Sequence, residues 1–120
     1  MAEISAGNGL VTFVNVFSCE PESQRALLAA LRRETEDVVA KLDGFVSASF
    51  HLSTDGRRVL NYAQWSRLDA FNAMMASAQG KAMILAVHEY TQSIDIHLYE
   101  VAAQYEAQYE AHPGPQPVTS

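Results

Sequence analysis

The stretch FVSASFHLSTDGRRVLNYAQW (45–65) carries the fold in outline. Two runs rich in aromatic and β-branched residues flank Thr54-Asp55-Gly56, a turn signal, so the segment predicts an antiparallel hairpin with strands over 45–53 and 57–65. The second arm holds an asparagine in mid-strand and ends on the single tryptophan of the chain. Alternation places Val59, Asn61, Ala63 and Trp65 on one face, with Leu60 and Tyr62 on the other. In the first arm the same rule groups Phe45, Ser47, Ser49 and His51.

The flanks extend the pattern on both sides. Upstream, LVTFVNVF (10–17) reads as a strand in which Asn15 shares a face with Val11, Phe13 and Phe17. PESQRALLAALRRETEDVVAKLDG (21–44) reads as a helix, opened by Pro21 and Glu22 and stopped by Asp43-Gly44. Its apolar stripe runs through Leu28, Leu31, Thr35, Val38 and Leu42, widened by Leu27 and Val39. Downstream, Ser66 is expected to cap a second helix with Asp69 completing an imperfect capping box. Leu68, Phe71 and Met75 mark its buried face, and Met74 flanks it. SAQG (77–80) interrupts, KAMILAVHEYT (81–91) predicts a further short helix, and SIDIHLYEV (93–101) a fourth strand.

The order β-α-β-β-α-(α)-β implies an α+β, ferredoxin-like split β-α-β plan with a four-stranded antiparallel sheet and its helices on one face. The sheet is apolar on both faces while one helical layer covers only one of them. A symmetric partner is the simplest cover, so a homodimer is expected. Residues 1–9 read as a flexible arm, 10–102 as the domain, and 103–120 as an extension whose end is expected to be disordered. Within that extension the repeated QYEA unit, with Tyr105 and Tyr109, suits a short helix or a continuation of the last strand.

Composition narrows the partners. The 120 residues carry a formal charge of −6, and basic residues never cluster beyond the pairs Arg32-Arg33 and Arg57-Arg58, which argues against nucleic acid or an anionic membrane. One cysteine, Cys19, excludes an intramolecular disulfide and a cysteine-based zinc site and reads as a structural thiol. The four histidines lack metal-ligand spacing, so no metal and no cofactor is expected. The N-terminus lacks the basic start and apolar run of a signal peptide, and no run approaches a bilayer span, so a cytoplasmic protein is expected.

Asn15 and Asn61 are the residues that a core alone does not explain. An amide in mid-strand either bonds to loop backbone or faces a space meant for a ligand. Strands 1 and 3 are neighbours in a split β-α-β sheet, so both amides and Trp65 are expected to look into one pocket between sheet and helices. Phe13, Phe71, Met75 and His88 are assigned to its wall, and such a pocket suits a flat, oxygenated ligand. His51 is a candidate general base.

Three segments together, VTFVNVF (11–17), DGFVSASFHLSTDG (43–56) and VLNYAQW (59–65), resemble the antibiotic biosynthesis monooxygenase family, in particular its cofactor-independent anthrone oxygenases. The resemblance spans about residues 10–100. It implies dimers whose two sheets close into an α/β barrel, one pocket per protomer, and activity tied to Asn15, Asn61 and Trp65, with His51 at a hairpin position used by some members. The implied substrates are O₂ and an aromatic polyketide of anthrone or hydroquinone type, oxidised to the quinone without a cofactor. Phe71 stands where some members carry tyrosine, and the following helix lacks their arginine, so any proton relay would fall to His51 or His88. Two other activities share the fold: non-oxidative polyketide cyclisation, and haem degradation, which needs an axial histidine near Lys81–Leu85.

Overall fold

The computed structural model describes residue 4 and residues 7–107. Most of the N-terminal arm and the end of the C-terminal extension, Tyr109 included, lie outside the described residues. Four strands, β1 (Val11–Ser18), β2 (Phe45–Leu52), β3 (Arg58–Trp65) and β4 (Ser93–Tyr99), form one antiparallel sheet in the order β2-β3-β1-β4. Helices α1 (Gln24–Asp37), α2 (Leu68–Ala76) and α3 (Ala78–His88) complete the order β-α-β-β-α-α-β. This is the ferredoxin-like plan, with β1 and β3 paired at the centre. No helix among the described residues is long and apolar enough to cross a membrane.

The 45–65 hairpin forms as its sequence dictates. Gly56 takes φ +80°, a conformation that L side chains rarely adopt, and its N–H donates to Ser53 O at 3.1 Å. Asp55 Oδ1 accepts from the Arg57 N–H, and Ser53 Oγ accepts from the Arg58 N–H. Gln24, at the start of α1, donates to the carbonyls of Ser53 and Arg58 at 3.1 and 3.0 Å, so one buried amide clamps α1 to the base of the hairpin.

Helix boundaries differ from the sequence reading for local reasons. Pro21–Ser23 is a 3₁₀ turn, α1 ends at Asp37, and a second 3₁₀ turn at Val39–Lys41 carries the chain down onto the sheet. Ser66 does not cap α2: its N–H bonds to Gly44 O, and Arg67 holds the cap position without a side-chain bond. The SAQG segment does not interrupt either. Ser77 Oγ accepts from the Gly80 N–H at 3.0 Å and so opens α3 three residues earlier than expected. Gly80 is required there, because a Cβ would sit 2.2 Å from the Met74 carbonyl oxygen. On α2 the buried set is Ala70, Phe71 and Met74, whereas Leu68 is exposed and Met75 half-buried. After β4 the described residues 100–107 form neither helix nor strand, and Tyr105 is 93% exposed.

The core falls into two clusters under the helices. One gathers Phe13, Val39, Ala63, Trp65, Phe71 and Met74; the other Phe17, Leu27, Leu31, Val59 and Val87. The β1–β3 register explains the division. Phe17 is opposite Val59 and Phe13 opposite Ala63, with Asn15 opposite Asn61 between them. Two amides therefore occupy the seam of an otherwise apolar interior.

Candidate active site

The chamber at that seam is built by three strands and three helices. β1 and β3 supply the floor with Asn15 and Asn61, β2 adds Phe45, Ala48 and Phe50, and α1 contributes Leu31 and Thr35. Trp65, Met74 and Met83 close the sides. Asn15 is 2% exposed and Trp65 1%. Phe71 stands behind this wall, 4.9 Å from the Phe13 ring and 6.2 Å edge-on from Trp65, while Phe45 meets Trp65 at 90° across 5.7 Å. These edge-to-face contacts hold the indole in one orientation.

The side-chain oxygens Oδ1 of Asn15 and Asn61 are both buried without a hydrogen-bond partner. Neither is satisfied by loop backbone, and each unpaired acceptor costs the fold about 1–3 kcal/mol. Natural interiors rarely retain such groups unpaired, and on the floor of one chamber a ligand or an ordered water can complete the bonding.

His51 is not brought to this chamber. Val46 is an extra residue between the Phe45–Trp65 and Ser47–Gln64 pairs, and this bulge reverses the alternation of β2. Phe45, Ala48 and Phe50 consequently face the helices, while Ser47, Ser49 and His51 turn to the opposite face. There His51 is exposed and borders a separate hollow of about 340 Å³ with Val16, Arg58 and Leu60. His88, the last residue of α3, is exposed and lies about a turn beyond the Lys81–Leu85 segment where haem degradation needs its axial histidine. Met75 yields its expected place on the chamber wall to Met74, one residue earlier and fully buried. Phe13 lines the chamber, whereas Phe71 supports it from behind.

Thr35, Met74 and Met83 were not foreseen as wall residues. The one signal was a hydroxyl placed inside the apolar stripe of α1. Met74 also borders an outer hollow of about 230 Å³ with Leu42, Asp43, Arg67 and Ser77. Arg67 spans its rim, paired with Asp43 and, at 2.9 Å, with Asp69. The hydrogen bond from Arg67 holds the Asp43 carboxyl below its ordinary range and raises the guanidinium in turn. Elsewhere, burial pushes the Cys19 thiol up, and its Sγ lies 3.6 Å from Gly56 O. Among the described residues no group of three or more His, Cys, Asp or Glu side chains is arranged to hold a metal ion.

The model of the antibiotic biosynthesis monooxygenase family matches residues 10–85, which include every strand and helix but β4 and the end of α3. The chain belongs to that family. It is 53% identical over 76 residues to the tetracenomycin-F1 monooxygenase of Streptomyces glaucescens, an alignment covering 63% of this chain and 68% of that protein. Among solved structures it resembles a Streptomyces coelicolor monooxygenase determined in complex with nanaomycin D, with a TM-score of 0.72 and 24% identity over 83% of this chain and 93% of that one. SnoaB, a cofactor-independent oxygenase from Streptomyces nogalater, superposes with a TM-score of 0.63 and 22% identity over 83% of this chain and 98% of its own. At those identities the two structures speak to the fold, while the family match and the curated relative make this chain a monooxygenase.

Proposed function

We propose that this monooxygenase works without a cofactor and oxidises an anthrone- or hydroquinone-type aromatic polyketide to the quinone. The observation that carries the reading is the pair of facing asparagines in a chamber of aromatic and apolar walls, each with a buried oxygen and no partner. Such a chamber suits a flat polycycle whose oxygens reach the amides.

The chemistry needs little from the protein beyond placement. Direct two-electron attack of triplet O₂ on a closed-shell molecule is spin-forbidden. An ionised anthrone donates one electron to O₂, and the resulting carbon radical and superoxide combine to a peroxide. With a proton, the peroxide loses water to leave the carbonyl, so that R₂CH₂ and O₂ become R₂C=O and H₂O. The electron-rich substrate thus takes the part that flavin or iron plays in other oxygenases. Amide N–H groups of Asn15 and Asn61 are the donors for the substrate oxyanion, and the Trp65 indole orients the ring system. Phe71 offers no hydroxyl and His51 faces away, so neither enters this scheme.

The chamber in its present form is tight, with a free volume of about 20 Å³ where one water needs roughly 10–15 Å³. Admission of a polycycle therefore requires wall side chains to move. Met74 separates this chamber from the outer hollow, and both it and Met83 are flexible enough to swing aside.

A homodimer closed through the helix-free sheet face belongs to the same proposal. That face carries Val14, Val16, Leu60 and Tyr62, all only half-buried within one chain.

Oxygen uptake by metal-stripped, flavin-free protein supplied with a simple anthrone tests the activity. Catalysed uptake with quinone formation is expected, falling about 10²-fold or more in Asn61→Ala and clearly in Trp65→Phe. Uptake at the spontaneous rate would overturn the reading.

A further inference from the structure

We propose that Thr35 is a specificity-determining residue that contacts the substrate, acting with the side-chain oxygens of Asn15 and Asn61 as an acceptor-lined floor for a phenolic O–H. The inference rests on the chamber being the substrate site and goes further by naming the group it selects.

Thr35 lies among Leu31, Val39 and Phe50 in the chamber wall. Its hydroxyl hydrogen is committed, since Oγ1 donates to Leu31 O one turn back at 2.8 Å. What it offers the chamber is therefore lone pairs alone. The same holds for Oδ1 of Asn15 and of Asn61, both buried with no donor. Three residues carrying acceptor oxygens, on three different elements, α1, β1 and β3, thus line one small space, and the Thr35 hydroxyl cannot donate to either amide without giving up its helix bond.

A ligand that completes such a site brings hydrogen-bond donors on its buried edge. A phenol does so; a quinone or an unsubstituted ring edge leaves the acceptors unpaired and is disfavoured. The amide nitrogens of the same two residues remain available to an oxyanion. The floor is accordingly matched to a substrate that presents a protonated hydroxyl beside the ionised oxygen, as a polyhydroxylated aromatic does. A polycycle lacking hydroxyls leaves these acceptors unpaired and binds more weakly.

Trp65 is the only tryptophan and borders the chamber, so its fluorescence reports occupancy directly. The full chain would be titrated at pH 6, where the phenol keeps its proton, with 2-hydroxyanthraquinone and with its near-isostere 2-methylanthraquinone. Wild type is expected to prefer the hydroxyl compound by about tenfold or more, one hydrogen bond's discrimination. Thr35→Val, which keeps the shape, is expected to lower that preference at least about threefold while leaving affinity for the methyl compound unchanged. Thr35→Ser should retain the preference. Should Thr35→Val fail to fold, Thr35→Ala against Thr35→Ser reads the same difference. No preference in wild type would mean that water alone satisfies the acceptors, and an equal preference in wild type and Thr35→Val would remove Thr35 from the contact; either overturns the proposal. Oxygen uptake with anthrone, measured in parallel, separates the two ideas. A Thr35-dependent preference without uptake would sink only anthrone oxidation, whereas uptake without the preference would sink only this inference.

Discussion

Asn15 is a side chain whose place costs the fold stability and to which the proposed reaction gives a use. Its carbonyl oxygen is sealed in the seam of the core without a donor. Replacing an unpaired buried polar group by an apolar one of similar shape is neutral or stabilising. Asn15→Leu is therefore expected to keep or raise the melting temperature by a few degrees while kcat/KM for anthrone oxidation falls about 10²-fold or more. Differential scanning calorimetry beside oxygen uptake checks both halves. A loss of stability matching the loss of activity would instead make Asn15 a structural residue. Gln24 is the opposite case at the same scale, a buried amide whose nitrogen is fully used in clamping the hairpin.

At the scale of elements, the decisive features are one added residue in β2 and one missing Cβ in α3. The bulge at Val46 turns over every later position of β2, which takes His51 out of the chamber and puts Phe50 into it. The close approach at Gly80 sets the corner between α2 and α3, and with it the position of Met74 on the wall. Helix propensity alone favours alanine over glycine by about 1 kcal/mol. Here Gly80→Ala is expected to destabilise by about 2–4 kcal/mol, because the new methyl would meet the Met74 carbonyl and force the corner apart. Urea denaturation gives the sign at once, and a stabilised variant would show that the corner yields freely.

The whole molecule is a sheet with helices on one face only. The helices enclose the chamber on that side, while Val14, Val16, Leu60 and Tyr62 stand on the side that they leave open. In the proposed homodimer a second copy covers this apolar strip. Light scattering is expected to give twice the 13.2 kDa chain mass, and Leu60→Glu to return it to the monomer by burying an unpaired charge at the interface. A wild-type monomer at micromolar concentration would refute the homodimer.

How much of this was legible beforehand follows from the range of each interaction. Strand alternation, the Thr54–Gly56 turn and the three-and-four spacing of α1 are local, so the order of elements could be read directly from the chain, and the split β-α-β plan then set Asn15 and Asn61 on neighbouring strands facing one space. Ser77 as a cap was missed because SAQG carries breaker and cap signals at once, and only the approach of Met74 decides between them. The bulge was invisible for a related reason. Phe45-Val46-Ser47 alternates acceptably in either register, and it is the pairing of Phe45 with Trp65 and Ser47 with Gln64 that leaves Val46 over. Sequence by itself thus determined the plan of the fold and the identity of the seam residues, through periodicities that act within a few residues. Tertiary structure alone decided which side chains close the chamber, that both amide oxygens go unpaired, and that His51 faces away, because each depends on contacts between elements far apart in the chain.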